Sequence, residues 1–269
     1  MTFNLAKLHS SGNSFLVCFI EDLKIPADVI ARLCDPRFGL GGDGMVMIRA
    51  DEQPGSYRLS YFNNNGSEFK MCFNGTICAA LFLKHRLQSE EPLMLCAPNF
   101  GEMQASFSNG TVSVDFTLPS IRSVISEIGL RYLFGTCHSV FLTDNHKIFF
   151  AGQTFFDSPS FVAQATVLRA EDELFPEGAN VHFISVEKDK VYIRHFEKGV
   201  EAETLSCGSG CVAAAFVLED KNELEFISPG GRLRLQKSPH YWTISGQPEL
   251  IAWLSAAGNT GHYTHSIMV

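Results

Sequence analysis

The 269-residue sequence contains no run of about 18 consecutive apolar residues, the length a membrane-crossing helix needs. It has no cluster of Lys or Arg, and 21 basic residues stand against 29 acidic ones, for a formal charge of −8. Such a surface has no electrostatic footprint for nucleic acid. The opening residues, Met1 to His9, lack the basic-then-apolar layout of a secretory leader. The expectation is a cytoplasmic protein with no membrane and no nucleic-acid partner. Apolar residues at 45% and charged residues at 19% are proportions of a globular chain, not a disordered one.

A paired C-x-x-C is also missing. The eight cysteines include Cys72-x5-Cys78 and Cys207-x3-Cys211, with no histidine pair close by in sequence, which argues against structural zinc. A reducing compartment and a chain of this length argue against a disulfide framework. Cys18, Cys34, Cys78, Cys96, Cys137 and Cys211 are read as small buried hydrophobes. The letters Gly39-x-Gly41-x-x-Gly44 match a dinucleotide fingerprint, but they follow a helix pattern and precede a strand pattern. That order is the reverse of the one needed, so nucleotide binding is rejected.

What is present is a repeat. Cys72-Phe-Asn-Gly-Thr-Ile-Cys-Ala-Ala-Leu-Phe-Leu83 aligns without gaps with Cys207-Gly-Ser-Gly-Cys-Val-Ala-Ala-Ala-Phe-Val-Leu218, about half a chain away. The preceding segments also match, Tyr61-Phe62-Asn63 against His195-Phe196-Glu197. Each copy reads as a β-run (Tyr57 to Phe62; Val191 to Phe196), a polar turn, the cysteine, and a helix apolar on every side (Thr76 to Leu83; Cys211 to Leu218). A helix of that kind is buried all round, as when a curved sheet wraps it. Further β-rich segments are Phe15 to Phe19, Gly44 to Ile48, Met103 to Phe107, Val112 to Phe116, Val140 to Leu142 and Arg232 to Leu235. Outer helices are expected over Pro26 to Asp35 and Pro159 to Arg169, each with Pro in the first turn and the second capped by Ser158. A link near Leu118-Pro119-Ser120 would divide two domains.

Cys72 and Cys207 each open a buried helix, next to the small residues Asn74-Gly75-Thr76 and Gly208-Ser209-Gly210. First-turn N–H groups and the helix dipole favour an anion there and favour a thiolate. Two such cysteines converging on one cleft suit a two-base racemisation: one thiolate removes an α-proton and a thiol on the other face returns one. The helix-end donors would hold the substrate carboxylate as charge develops on it. This chemistry requires neither cofactor nor metal.

These residues resemble the diaminopimelate epimerase family. The resemblance runs through His9-Ser-Ser-Gly-Asn-Ser-Phe15, Arg37-Phe-Gly-Leu-Gly-Gly-Asp-Gly44, Phe62-Asn-Asn-Asn-Gly-Ser-Glu68, Met71-Cys-Phe-Asn-Gly-Thr76, Gly178-Ala-Asn-Val181 and Glu203-Thr-Leu-Ser-Cys-Gly-Ser-Gly210. It implies an α+β fold of two pseudo-symmetric domains, each a curved, mainly antiparallel sheet around a central apolar helix. The first domain would be residues 1–118 with about 256–269, the second 119–255, and the site would lie in the cleft between them. The implied reaction interconverts LL- and meso-diaminopimelate, for lysine and peptidoglycan precursor synthesis, in a homodimer. Cys72 and Cys207 would be the acid–base pair, with His138 and Glu197 beside the thiols. Asn13, Asn63, Asn74, Gly75, Asn180, Lys198, Gly208 and Ser209 would bind the small amino-acid substrate.

The sequence departs from the family pattern at four places. Phe73 replaces a glycine, and Gly135-Thr136-Cys137-His138 stands for Gly-Asn-Pro-His. Lys198 replaces an arginine, whose bidentate fork a lysine does not reproduce. The segment from Glu197 to Cys207 is one residue longer than usual. These departures raise the alternative of a broader amino-acid racemase that also accepts glutamate. Two other classes compete: a fold relative that isomerises or dehydrates another metabolite, and a redox sensor in which Cys72 and Cys207 form a disulfide.

Overall fold

The structure is a computed structural model describing residues 2–21, 24–98, 100–118, 137–142, 145–151, 159–170, 175–176, 178–218, 220–259 and 262–268. The chain divides into two compact units, Met1–Thr117 with Ser245–Val269, and Leu118–Ile244. The return to the first unit comes earlier than residue 256, because the strand Glu249–Asn259 pairs with the first strand of the chain from Glu249 to Ala257.

Unit 1 carries β1 (Thr2–Ser10), β2 (Asn13–Phe19), α1 (Ala27–Cys34), β3 (Gly44–Ala50), β4 (Ser56–Asn63), β5 (Glu68–Phe69), α2 (Phe73–Leu87), β6 (Leu93–Ala97), β7 (Gly101–Ser108) and β8 (Thr111–Phe116). Unit 2 carries β9 (Cys137–Leu142), β10 (Asn145–Ala151), α3 (Phe161–Arg169), β11 (Ala179–Glu187), β12 (Lys190–Glu197), β13 (Ala202–Thr204), α4 (Gly208–Val217), β14 (Glu223–Ser228) and β15 (Gly231–Lys237). The short β16 (Trp242–Gly246) crosses the division; β17 (Glu249–Asn259) and β18 (His262–Met268) return to unit 1. Among the described residues, no helix is long and apolar enough to cross a membrane.

The pairings repeat strand for strand. In unit 1, β1 runs antiparallel to β2, β2 parallel to β3, β3 antiparallel to β4, β4 antiparallel to β5 and parallel to β6, and β6 antiparallel to β7. Unit 2 has the same series from β9 to β15. In both, one helix follows the second strand and another follows the short fifth. The half-length match in the sequence therefore marks a duplicated fold, and each sheet carries helices on opposite faces.

Alternation along the strands explains how both faces are filled. In unit 1, Leu16, Cys18, Met45 and Met47 pack with Ile30, Leu33 and Cys34 of α1. Val46 and Tyr61 turn to the other face, beneath α2. In unit 2, Val181 and Phe183 pack with Phe161, Ala165 and Leu168 of α3, while His182 faces α4. The all-apolar helix pattern is met: α2 is buried from Phe73 to Ala80 and again at Phe82 and Leu83, and α4 is buried at Gly208 and from Gly210 to Ala215.

Two helix starts differ from expectation. Pro26 is the N-cap of α1, not its first helical residue; its carbonyl accepts from Val29 and Ile30 N–H at 3.1 Å. The second outer helix opens at Phe161 with Ser160 as N-cap, and Ser158 lies outside the described residues. The glycine-rich segment after α1 closes that helix. Gly39 and Gly42 N–H donate to Asp35 and Cys34 carbonyls, and a Cβ on Gly39 would come within 2.0 Å of the Arg32 carbonyl oxygen.

Candidate active site

Both helix-opening cysteines are N-caps in extended backbone, Cys72 at φ −142° and Cys207 at φ −132°. Cys72 is partly exposed, and its Sγ accepts from Gly75 N–H at 3.4 Å. Its carbonyl oxygen accepts from Thr76 Oγ1 at 2.8 Å. With the Thr76 proton so committed, the buried Tyr61 hydroxyl 2.7 Å away donates to Thr76 Oγ1. Phe73 does not project into this turn's polar side. Its ring is buried against Phe116 and Phe100, with centroids 4.6 and 5.6 Å away.

Cys207 is buried, and its Sγ lies 3.5 Å from Ser209 Oγ. Burial pushes its thiol well above the ordinary cysteine range, and the Glu197 carboxylate adds to the rise. The Lys147 ammonium and Ser209 pull the other way without overcoming burial. A depressed thiol from the helix field alone is thus not what Cys207 shows; loss of water outweighs the dipole here. Cys18 and Cys34 are pushed up to about 12, both chiefly by burial, as inert thiols should be. Cys78 and Cys211 are buried as well, whereas Cys96 is only partly buried.

The other expected site residues are divided between the two units. In unit 1, Asn13 opens β2, and its Oδ1 is buried with no hydrogen-bond donor among the described residues. Asn63 ends β4, where its side-chain amide donates to Ser67 Oγ at 2.9 Å. Asn74 and Gly75 are buried in the first turn of α2. In unit 2, Asn180 Oδ1 accepts from the exposed Lys198 backbone N–H at 2.8 Å. Glu197 ends β12 and accepts from Thr204 Oγ1, while Gly208 and Ser209 open α4. His138 lies in β9 opposite Phe149; its side chain, like those of Thr136 and Cys137, is outside the described residues.

Unit 2 is one residue longer than unit 1 between the end of the strand and the cysteine, Glu197 to Cys207 against Asn63 to Cys72. Phe62 pairs with Glu68 in unit 1, whereas Phe196 pairs with Glu203 in unit 2. The added residue is taken up in that turn, where Gly199 and Glu201 adopt φ +87° and +55°.

Three residues of unit 2 escaped the sequence reading. Lys147, 1% exposed, pairs with Asn180 at the register position where Phe15 pairs with Gly44 in unit 1. His182 and His195 pair across β11 and β12, where Val46 and Tyr61 pair across β3 and β4. Both histidines are fully buried, their Nδ1 atoms are 2.9 Å apart, and His195 Nε2 lies 3.1 Å from Ser228 Oγ. A signal existed: His195 shares a strand face with Val191 and Ile193 and aligns with Tyr61.

A ring nitrogen from each histidine and Cys207 Sγ lie within 4.8 Å of one another, close enough to be considered as metal ligands. Lys147 lies near enough to Cys207 and both histidines to act on all three electrostatically. With the positive end of α4 it opposes a dication there, and suits an anionic sulphur instead.

The family model described as diaminopimelate epimerase matches residues 5–115 and 143–241. A diaminopimelate epimerase of Archaeoglobus fulgidus is 30% identical over 259 residues, covering 88% of this chain and 90% of that relative. One from Xylella fastidiosa is 28% identical, covering 91% and 90%. Among solved structures, a hydroxyproline epimerase from Agrobacterium vitis matches with TM-score 0.72 at 14% identity, covering 94% of this chain and 92% of that one. A phenazine biosynthesis protein of the PhzF family from Enterococcus faecalis matches with TM-score 0.67 at 18% identity, covering 96% and 100%. Both share the fold.

Proposed function

The chain belongs to the diaminopimelate epimerase family, and from that premise we propose that it interconverts LL- and meso-diaminopimelate by proton transfer through Cys72 and Cys207, without a cofactor. It is an isomerase of the epimerase class. The observation that carries the finer reading is the equivalence of the two cysteines. Each is the N-cap of a buried helix, at the same place in a duplicated fold.

In the proposed reaction one thiolate takes the α-proton and becomes a thiol, while the opposite thiol gives its proton to the other face of the carbon. N–H groups of Asn74-Gly75 and Gly208-Ser209 would stabilise the negative charge that builds on the carboxylate in between. His138 and Glu197 would set which sulphur holds the proton. The buried, undonated Oδ1 of Asn13 suits an ammonium group of the substrate. Asn63, Asn180 and Lys198 would complete the contacts. The proposal extends to a homodimer in the cytoplasm serving lysine and peptidoglycan precursor synthesis.

One observation favours a second reading, a broader racemase. Lys198 offers a single flexible charge where the family pattern has a guanidinium, so the distal carboxylate would be gripped less specifically, and glutamate becomes a candidate. The test is α-hydrogen exchange in heavy water followed by proton NMR under reducing conditions. LL-diaminopimelate and L-glutamate are compared, with Cys72→Ala and Cys207→Ala alongside. Inversion of diaminopimelate, lost in both variants, is the expected result. Cysteine-dependent inversion of glutamate as well would establish the broader reading; no exchange with either substrate would overturn both.

A further inference from the structure

The two thiols differ in what lies beneath them. Under the partly exposed Cys72 are Val46 and the Tyr61 ring, whose atoms sit 3.1 and 3.4 Å from where a Cβ on Gly75 would stand. Under the buried Cys207 the equivalent places hold His182 and His195. The edge of the His182 ring faces the first turn of α4 so closely that a Cβ on Gly210 would meet its Cε1 at 2.6 Å. From there a hydrogen-bonded line runs His182 Nδ1, His195 Nδ1, His195 Nε2, Ser228 Oγ. Ser228 ends β14 beside the exposed Pro229, at the tip of the β14–β15 hairpin.

We propose that His182, His195 and Ser228 form a proton relay that connects the Cys207 thiol to water at this hairpin and resets its protonation state between turnovers. The proposal rests on Cys207 acting as a base in the reaction above. A buried thiol that has taken a substrate proton must release it before the next molecule of the same epimer can react. Cys72, being partly exposed, needs no such path.

One pair of neutral tautomers sets the line for outward transfer. With both rings neutral, His182 donates from Nδ1 to His195 Nδ1, and His195 then donates from Nε2 to Ser228 Oγ. In the transfer, the Cys207 S–H bond breaks and an N–H bond forms at His182 Nε2; Cys207 Sγ and a ring nitrogen of each histidine lie within 4.8 Å of one another. The His182 Nδ1 proton passes to His195 Nδ1, the His195 Nε2 proton to Ser228, and the serine proton to water. The products are a Cys207 thiolate, two neutral imidazoles with exchanged tautomers, and one proton in solvent. The reverse sequence reprotonates the thiol and restores the starting tautomers; a second outward transfer requires both rings first to return to those tautomers by a half-turn that exchanges their nitrogens. Burial keeps both rings neutral, with His195 pulled down to about 3 and His182 well below its usual range. Lys147 acts on both in the same direction. Neutral rings of this kind pass protons without holding one.

The test is steady-state kinetics of His195→Gln and His195→Phe on LL-diaminopimelate, with thermal unfolding to verify that each variant is folded. Gln preserves hydrogen bonding to both neighbours but does not relay protons. Resetting follows product release, so it bears on kcat and not on kcat/KM. In both variants kcat is expected to fall about tenfold while kcat/KM stays within about twofold. The isotope effect of α-deuterated substrate is expected to vanish from kcat and persist in kcat/KM. Full rescue of kcat by Gln would assign His195 a packing role and overturn the relay. Equal loss of kcat and kcat/KM, unchanged kinetics, or stoichiometric zinc binding by the wild type that is lost in His195→Gln would overturn it too. An inactive wild type would fail the parent reading instead, so the two failures are distinguishable.

Discussion

Lys147 stands in β10 where Phe15 stands in β2, an ammonium in place of a benzene ring. Burial pulls its pKa down, while Cys207 and Glu197 oppose that fall. Its charge favours a thiolate at Cys207. Lys147→Met keeps most of the volume and removes the charge, so the Cys207 pKa rises further and less thiolate forms at neutral pH. The pH–rate profile of inversion is expected to move to higher pH by about one unit; an unmoved profile would show that Lys147 does not act on the thiol. The cysteines themselves were legible because Cys followed by small residues and an apolar helix is a local pattern. Lys147 and His182 were not, and His195 was marked only by its alignment with Tyr61, since all three meet Cys207 only once separate strands have paired. A lone His in a β-run carries no mark of what faces it.

The helix starts show how one element tolerates two chemistries. Gly75 and Gly210 occupy corresponding places in α2 and α4, and both let the helix approach the strands below. On Gly75 an added methyl meets a movable valine methyl at 3.1 Å; on Gly210 it meets the edge of a buried imidazole at 2.6 Å. Gly210→Ala is therefore expected to destabilise unit 2 by about 2–3 kcal/mol, and Gly75→Ala to cost unit 1 about 1 kcal/mol or less. Denaturant midpoints check this, and equal effects would contradict it. At this scale the sequence predicted the buried helices and the strands next to them. Strands such as β6 and β14 are bounded by Pro92 and Pro98 and by Pro229-Gly230, but their short runs were assigned only once their partners were in place.

For the whole molecule, the histidine pair links stability to acidity. Unfolded histidine titrates near 6.5, whereas His182 and His195 resist protonation in the fold. As pH drops below about 6.5 the unfolded chain binds more protons than the folded one, and stability falls by about 1.4 kcal/mol per pH unit for each histidine. Unit 1 has Val46 and Tyr61 at these places and lacks this liability. Hydrogen exchange at pH 5.5 is expected to show protection lost first in β11, β12 and β14, and His195→Gln is expected to halve the slope of stability with pH. Duplication was legible at this scale because it leaves a half-length echo in the letters. The reach of the last strands was not.

That reach bears on how the protein is made. β1 pairs with β17 from Thr2↔Ala257 to His9↔Glu249, with an irregularity between Lys7 and Leu8. On the ribosome β1 therefore emerges before unit 2 and waits, one backbone edge unsatisfied, until β17 has been synthesised. Unit 2 is a continuous stretch inside that interval, and it can close on itself while unit 1 is still an open sheet. An open edge held for so long invites pairing with other nascent chains. Vectorial synthesis thus sets the order: the second half of the duplication matures first, and the first half is sealed last.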